Sequence, residues 1–125
     1  MAATKSGSAV ISAQTSSAGS TYASPSSGCQ SSSQTMTTYY GATVTGQVTN
    51  GSSAPGVGTT AQIDISYDGS TWRQYTSWQA GVTASTSYQF AAVLDPAVMN
   101  WRITFFGNTT NSTTVSAEVE YLTGI

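Results

Sequence analysis

Acid–base chemistry in this chain would have to come from five carboxylates, Asp64, Asp68, Asp95, Glu118 and Glu120, because its 125 residues include no histidine and a single cysteine. The missing histidine removes the commonest general base, the triads that depend on it and most zinc sites. Cys29, with no histidine to take its proton, is a poor nucleophile, and small buried packing accounts for it. Two carboxylates astride a sugar linkage could hydrolyse it, and Asp64 with Glu118 and Glu120 could hold calcium. Position argues against both. Asp68 and Asp95 fall in turns, whereas Asp64, Glu118 and Glu120 are expected on the solvent side of strands without a ligand loop. No glycine-rich stretch has the spacing of a phosphate cradle. The sequence thus predicts no catalytic residue, no cofactor, no metal and no enzyme.

The cations are as sparse as the acids. Lys5, Arg73 and Arg102 are the only ones, and the net charge is -2. Two of the three have strand-paired acids as expected partners, so no basic footprint for nucleic acid can be drawn. No apolar run approaches the roughly 20 residues of a spanning helix, so no membrane is expected. The opening Met1–Ser8 stretch lacks the apolar centre of a secretory signal, and the lone Cys29 suits a reducing compartment; both favour a chain made and kept in a cytosol. Charged residues make up 6% of the chain. A surface this neutral has little repulsion to keep copies apart, which points to a subunit of an assembly.

The positioning elements are strands. Gln62–Tyr67 and Ser70–Tyr75 flank Asp68-Gly69, a pair typical of two-residue hairpin turns. That turn would set Ile65 opposite Trp72 and Asp64 opposite Arg73, an apolar pair on one face and an ion pair on the other. The same stretch resembles the Asp-box turn Ser-x-Asp-x-Gly-x-Thr-Trp, one residue short. Further strands follow from period-two alternation. Tyr40, Ala42, Val44, Gly46 and Val48 share a face, with Gly41 and Gly46 marking a bulge or close backbone approach. Tyr88, Phe90, Ala92 and Leu94 share another, as do Met99, Trp101, Ile103 and Phe105, and Val115, Ala117, Val119 and Tyr121. Pairing the last two strands as a hairpin would bring Arg102 opposite Glu118 or Glu120.

Before these strands, residues 1 to about 7 read as a mobile arm and Ala9–Ala13 as a short first strand. Thr15–Gln34 is a Ser-rich excursion with Tyr22 its one bulky residue. The division is therefore 1–34, arm, short strand and excursion, and 35–125, the core, within a single domain. Some seven short strands without helical periodicity predict an all-β fold, an antiparallel two-sheet sandwich, Ig-like or fibronectin-like, with a jelly roll as runner-up. With no reacting group in view, binding is left to aromatics expected outside the core: Tyr39, Trp78 and Phe106.

Three segments carry a family resemblance: Lys5-Ser6-Gly7-Ser8-Ala9-Val10-Ile11-Ser12-Ala13, Val48-Thr49-Asn50-Gly51, and the strand–Asp-Gly–Trp hairpin. In these the chain resembles small β-rich virion proteins of tailed bacteriophages. The resemblance implies a sandwich subunit without catalytic residues, assembled in the host cytoplasm and carried on the virion. It implies a capsid decoration (cement) protein that stabilises the head shell, with the major capsid protein or other virion proteins as partners. It also implies a homo-oligomer, with a trimer as the candidate. The alternatives are a carbohydrate-binding or adhesive module using Trp78, and a small tail or fibre component.

Overall fold

A computed structural model describes residues 2–125. Among these the chain forms eight strands: β1 (Thr4–Ser16), β2 (Gln34–Thr35), β3 (Ala42–Asn50), β4 (Thr60–Ser66), β5 (Arg73–Gln79), β6 (Ser87–Leu94), β7 (Asn100–Phe106) and β8 (Thr113–Gly124). They make two four-stranded sheets, ordered β1-β8-β3-β6 (sheet A) and β2-β7-β4-β5 (sheet B). Every pairing is antiparallel. The expected two-sheet sandwich is what forms. Successive strands cross from one sheet to the other except at β4–β5, which places the last strand between the first and third. That order belongs to a jelly roll, the second of the two arrangements expected, and not to an Ig-like sandwich.

The core lies between the sheets and follows the alternation. Val44 and Val48 of β3, Leu94 of β6, Trp101, Ile103 and Phe105 of β7, and Val115, Ala117, Val119 and Tyr121 of β8 are buried. Several positions depart from the pattern: Tyr40, expected to share the face of Ala42 and Val44, precedes β3 and is exposed, and Asp64, expected outside, is buried. Met99 sits in the β6–β7 connection and is exposed, whereas Thr104, expected outside, is buried. Its cover is Gln30, which bridges to it in the ladder and donates its side-chain amide to Thr104 Oγ1 at 2.9 Å. Gly46 is a close-approach glycine: a Cβ there would run into the Phe90 ring and sit 3.0 Å from the Ser116 carbonyl oxygen. Gly46→Val should therefore displace Phe90 and cost about 1–3 kcal/mol or more, read as a shift in denaturation midpoint.

Three expectations about register and length need correction. The β4–β5 turn is not a two-residue hairpin. Ile65 pairs with Arg73 and Asp64 with Gln74, with an irregularity between Ile63 and Asp64. The cause is the Asp68 carboxylate, whose Oδ1 accepts the amides of Ser70 (2.9 Å) and Thr71 (2.7 Å) and draws residues 67–72 into a wider loop. Only Gly69 in it has positive φ, so the primed turn is not adopted. Those amides, Thr71's first, hold the Asp68 carboxyl far below the usual carboxylate range. Next, β7 and β8 are not a hairpin, so Arg102 and the pair Glu118 and Glu120 lie on different sheets.

The third correction concerns the start of the chain. Residues 4–7 are not an arm: β1 begins at Thr4, because β8 continues to Gly124 and supplies a ladder partner, Thr4 opposite Gly124. The Ser-rich stretch is laid along sheet B. Ser31 N–H donates to Ile103 O at 2.9 Å, Phe105 N–H to Cys29 O at 2.8 Å and Gly107 N–H to Ser20 O at 3.0 Å. Asn108 anchors it where β1 ends, accepting Ser16 Oγ–H at 2.7 Å and donating to Ser16 O at 2.9 Å. Cys29 is fully buried, and burial pushes its thiol up.

Candidate functional site

The acids considered for chemistry are not brought together. Asp64 lies on the outer face of sheet B, opposite Arg102 of β7. Glu118 and Glu120 lie on the outer face of sheet A, on the far side of the core. Among the described residues no three His, Cys, Asp or Glu side chains stand close enough to share a metal ion. Nor is Asp64 solvent-facing as expected: it is 1% exposed. Tyr22, carried there by the Ser-rich segment, donates its hydroxyl to Asp64 Oδ2 at 2.7 Å, and Gln62 Nε2 donates to Oδ1 at 2.9 Å. Burial first, then that bond to Asp64, pushes the Tyr22 phenol up, so it remains a donor.

Arg102 completes this cluster. Its Nη2 donates to Tyr22 Oη at 3.0 Å, its Nε lies 3.8 Å from Asp64 Oδ2, and its guanidinium sits 4.4 Å from the centre of the Trp72 ring. Within the cluster Arg102 Nε is left without a hydrogen-bond partner, and no second carboxylate or nucleophile stands beside Asp64. The cluster fastens the Ser-rich segment to sheet B; as an arrangement it binds the protein to itself.

The three aromatics expected to be available for binding are likewise occupied. Tyr39 stacks on Tyr121 with ring centres 3.9 Å apart. Trp78 leans on Phe90 at 5.0 Å, closing the gap between the sheets at their β5 and β6 edges. Phe106 takes the edge of Tyr22 at 5.6 Å. All three are half-buried, so none is a free platform.

The exposed apolar side chains lie elsewhere, and the topology collects them. The β2–β3, β4–β5 and β6–β7 connections share one end of the sandwich with the start of β1 and the end of β8. Of the eight large hydrophobic residues exposed among the described residues, Tyr40, Tyr67, Tyr75, Val93, Met99 and Ile125 are at or next to this end, and only Val57 and Val82 are at the other. Tyr67 is 70% exposed, Val93 72% and Met99 48%. Two shallow grooves run between them. One, of about 260 Å³, is floored by Ile65 and Val98 and flanked by Tyr67 and Met99. The other, of about 320 Å³, lies between Val93, Pro96 and Leu122, with Lys5 and Glu120 at its rim. The Asp68-centred loop holds Tyr67 out, while Tyr75 Oη fixes the β6–β7 turn by donating to Val93 O and accepting from the Asp95 amide, both at 3.2 Å. Exposed apolar side chains gathered at one end, with Lys5, Asp68, Arg73, Asp95 and Glu120 around them, suit a protein interface with an apolar centre and a charged rim.

No protein-family model matches the chain, and no curated protein matches it. Solved structures do share its fold. The PBSX exported protein XepA superposes with a TM-score of 0.63 at 11% identity, over 96% of this chain and 38% of XepA. The particle of infectious bursal disease virus, Gx strain, gives 0.52 at 14% identity, over 98% of this chain and 32% of the viral one. The VP2 subviral particle of infectious bursal disease virus gives 0.51 at 12% identity, over 94% and 32%. The chain spans about a third of the length of these three structures. The likeness establishes the jelly-roll sandwich.

Sequence reasoning missed the apolar end because it depends on which connections meet. Tyr67 and Met99 are far apart in the chain and become neighbours only through the β4–β7 pairing of Ser66 with Asn100. One signal was present: Tyr67 adjoins the Asp68-Gly69 turn, where a bulky side chain has no ladder neighbour to cover it.

Proposed function

We propose that this chain is a non-enzymatic structural subunit of a phage virion, a decoration protein bound to the head shell and docked through the apolar end that carries Tyr67, Val93 and Met99. The observation that carries this reading is the gathering of exposed apolar side chains, Tyr67, Val93 and Met99 foremost, at one end of the sandwich. Surface buried only in the assembled shell stabilises that shell by mass action and leaves the subunit's own fold unchanged. The sequence resemblance to phage virion proteins and the jelly-roll fold shared with a viral particle support the reading. Trp78 as a sugar platform has less support, since its ring is taken by Phe90.

The test is co-sedimentation of the purified chain with undecorated heads, with tails in parallel and a glycan array as a third arm. Binding to heads alone is expected. Tyr67→Lys with Met99→Lys should weaken that binding at least about a hundredfold, as removal of central apolar anchors does, while the free energy of unfolding stays within about 0.5 kcal/mol of the parent. Binding to tails, to glycans or to neither would overturn the assignment to the head.

A further inference from the structure

A two-sheet sandwich has four edge strands, and three of these are short or bridged. β2 is two residues long and offers little template. β5 and β6 lie on one side and are tied across the sandwich by Trp78 on Phe90 and by Tyr75 on the β6–β7 turn. β1 differs. It pairs with β8 alone, and among the described residues the backbone of Thr4–Ala13 makes no hydrogen bond on its other side. Residues Thr4 to Ala9 are all exposed. Native edges are commonly blunted by charge, proline or bulges. This one has a single charge, Lys5, and no proline. Its register shifts fall at Thr4/Lys5 and beyond Ala9, leaving Lys5–Ala9 as a regular run opposite Leu122–Glu118.

We propose that this edge pairs with the β1 edge of a second copy of the chain, antiparallel about a two-fold axis through Gly7, so that sheet A continues across two subunits. A centre at Gly7 keeps the whole regular run paired and every face matched: Ser6 meets the second copy's Ser8, and Lys5 meets its Ala9. Ala9 is itself opposite Glu118 in β8, so the second copy's Glu118 stands two strand spacings from Lys5, about 9.5 Å. That span is within the joint reach of the two side chains when only an alanine intervenes. Within one subunit Lys5 forms no ion pair among the described residues, and the Glu118 carboxylate accepts only the Thr45 hydroxyl at 3.2 Å. The two-fold makes the charge pair twice and sets serine against serine on the inner face. An isologous edge is used up in a pair, so this contact gives a dimer and no ring of three. The inference stands apart from the virion reading and needs only the purified chain.

Light scattering after gel filtration of the full chain should give a dimer. Gly7→Cys should convert to a disulfide-linked dimer on oxidation and revert with reductant, since residues on the axis of an antiparallel pair have Cα atoms about 5 Å apart. The fold tolerates that change, because a Cβ at Gly7 finds only ordinary contacts with Val119 O (3.6 Å) and Glu120 Cγ (3.7 Å). Buried Cys29 does not compete. Lys5→Glu should weaken the dimer at least about tenfold by setting like charges together at both ends, and adding Glu118→Lys should restore it. A monomer at the highest soluble concentration, a trimer, or a dimer in which Gly7→Cys stays reduced would overturn the proposal.

Discussion

Replacing Trp101 with alanine is expected to lower the free energy of unfolding by about 3–5 kcal/mol, a large part of what a domain of this size has. Its side chain is fully buried at the centre of sheet B, between Gln34 of β2 and Ile65 of β4. The indole N–H donates to Tyr121 Oη at 3.3 Å, across the core in sheet A. Tyr121 in turn carries the stacked Tyr39, so the substitution opens a cavity and removes the hydrogen bond of a buried hydroxyl at once. Trp101→Phe keeps most of the volume and should cost less. Urea denaturation followed by circular dichroism measures both; a loss under about 1 kcal/mol for the alanine variant would contradict the packing described.

Arg102→Ala comes second, at about 2–4 kcal/mol, well beyond the roughly 1 kcal/mol of an exposed ladder charge. The difference lies in the partner. The Asp64 side chain is 2% exposed against 21% for Arg102, so losing the guanidinium strands a buried carboxylate on two neutral donors, Tyr22 and Gln62. It also removes the cation from over Trp72. Solvent reaches the arginine, which keeps the figure below that of a fully sealed pair. Asp64→Asn in the Arg102→Ala background should recover part of the loss, because the stranded charge is then gone. An Arg102→Ala cost below about 1 kcal/mol, with no recovery in the double variant, would return the pair to the status of a surface contact.

These two residues mark where the sequence was legible and where it was not. Trp101 was placed in the core by alternation alone, since period two is a local property and β7 and β8 keep it over most of their length. Arg102 was placed outside by the same rule, correctly, but its partner was misassigned. The loop from Gly107 to Ser112 fits a hairpin as well as a crossover, and only the order of the whole sheet decides between them. Tyr22 and Gln30 show the other limit. They cover Asp64 and Thr104 from a serine-rich stretch that has no periodicity, so nothing local announces that the outer face of sheet B is roofed. The Asp68 loop was misread for a chemical reason: a carboxylate gripping two amides outweighs the turn preference of Asp-Gly.

The meeting of Thr4 with Gly124 also has a kinetic meaning. β8 follows the other seven strands in chain order, yet it sits inside sheet A between β1 and β3. During synthesis both neighbours must wait with bare ladders until it arrives, and closing so long a loop makes folding slow, on the order of milliseconds to seconds. In that interval the crowded cell, more than the finished molecule, decides the yield. Mutations that hasten insertion of β8 should raise soluble expression even where they leave equilibrium stability untouched.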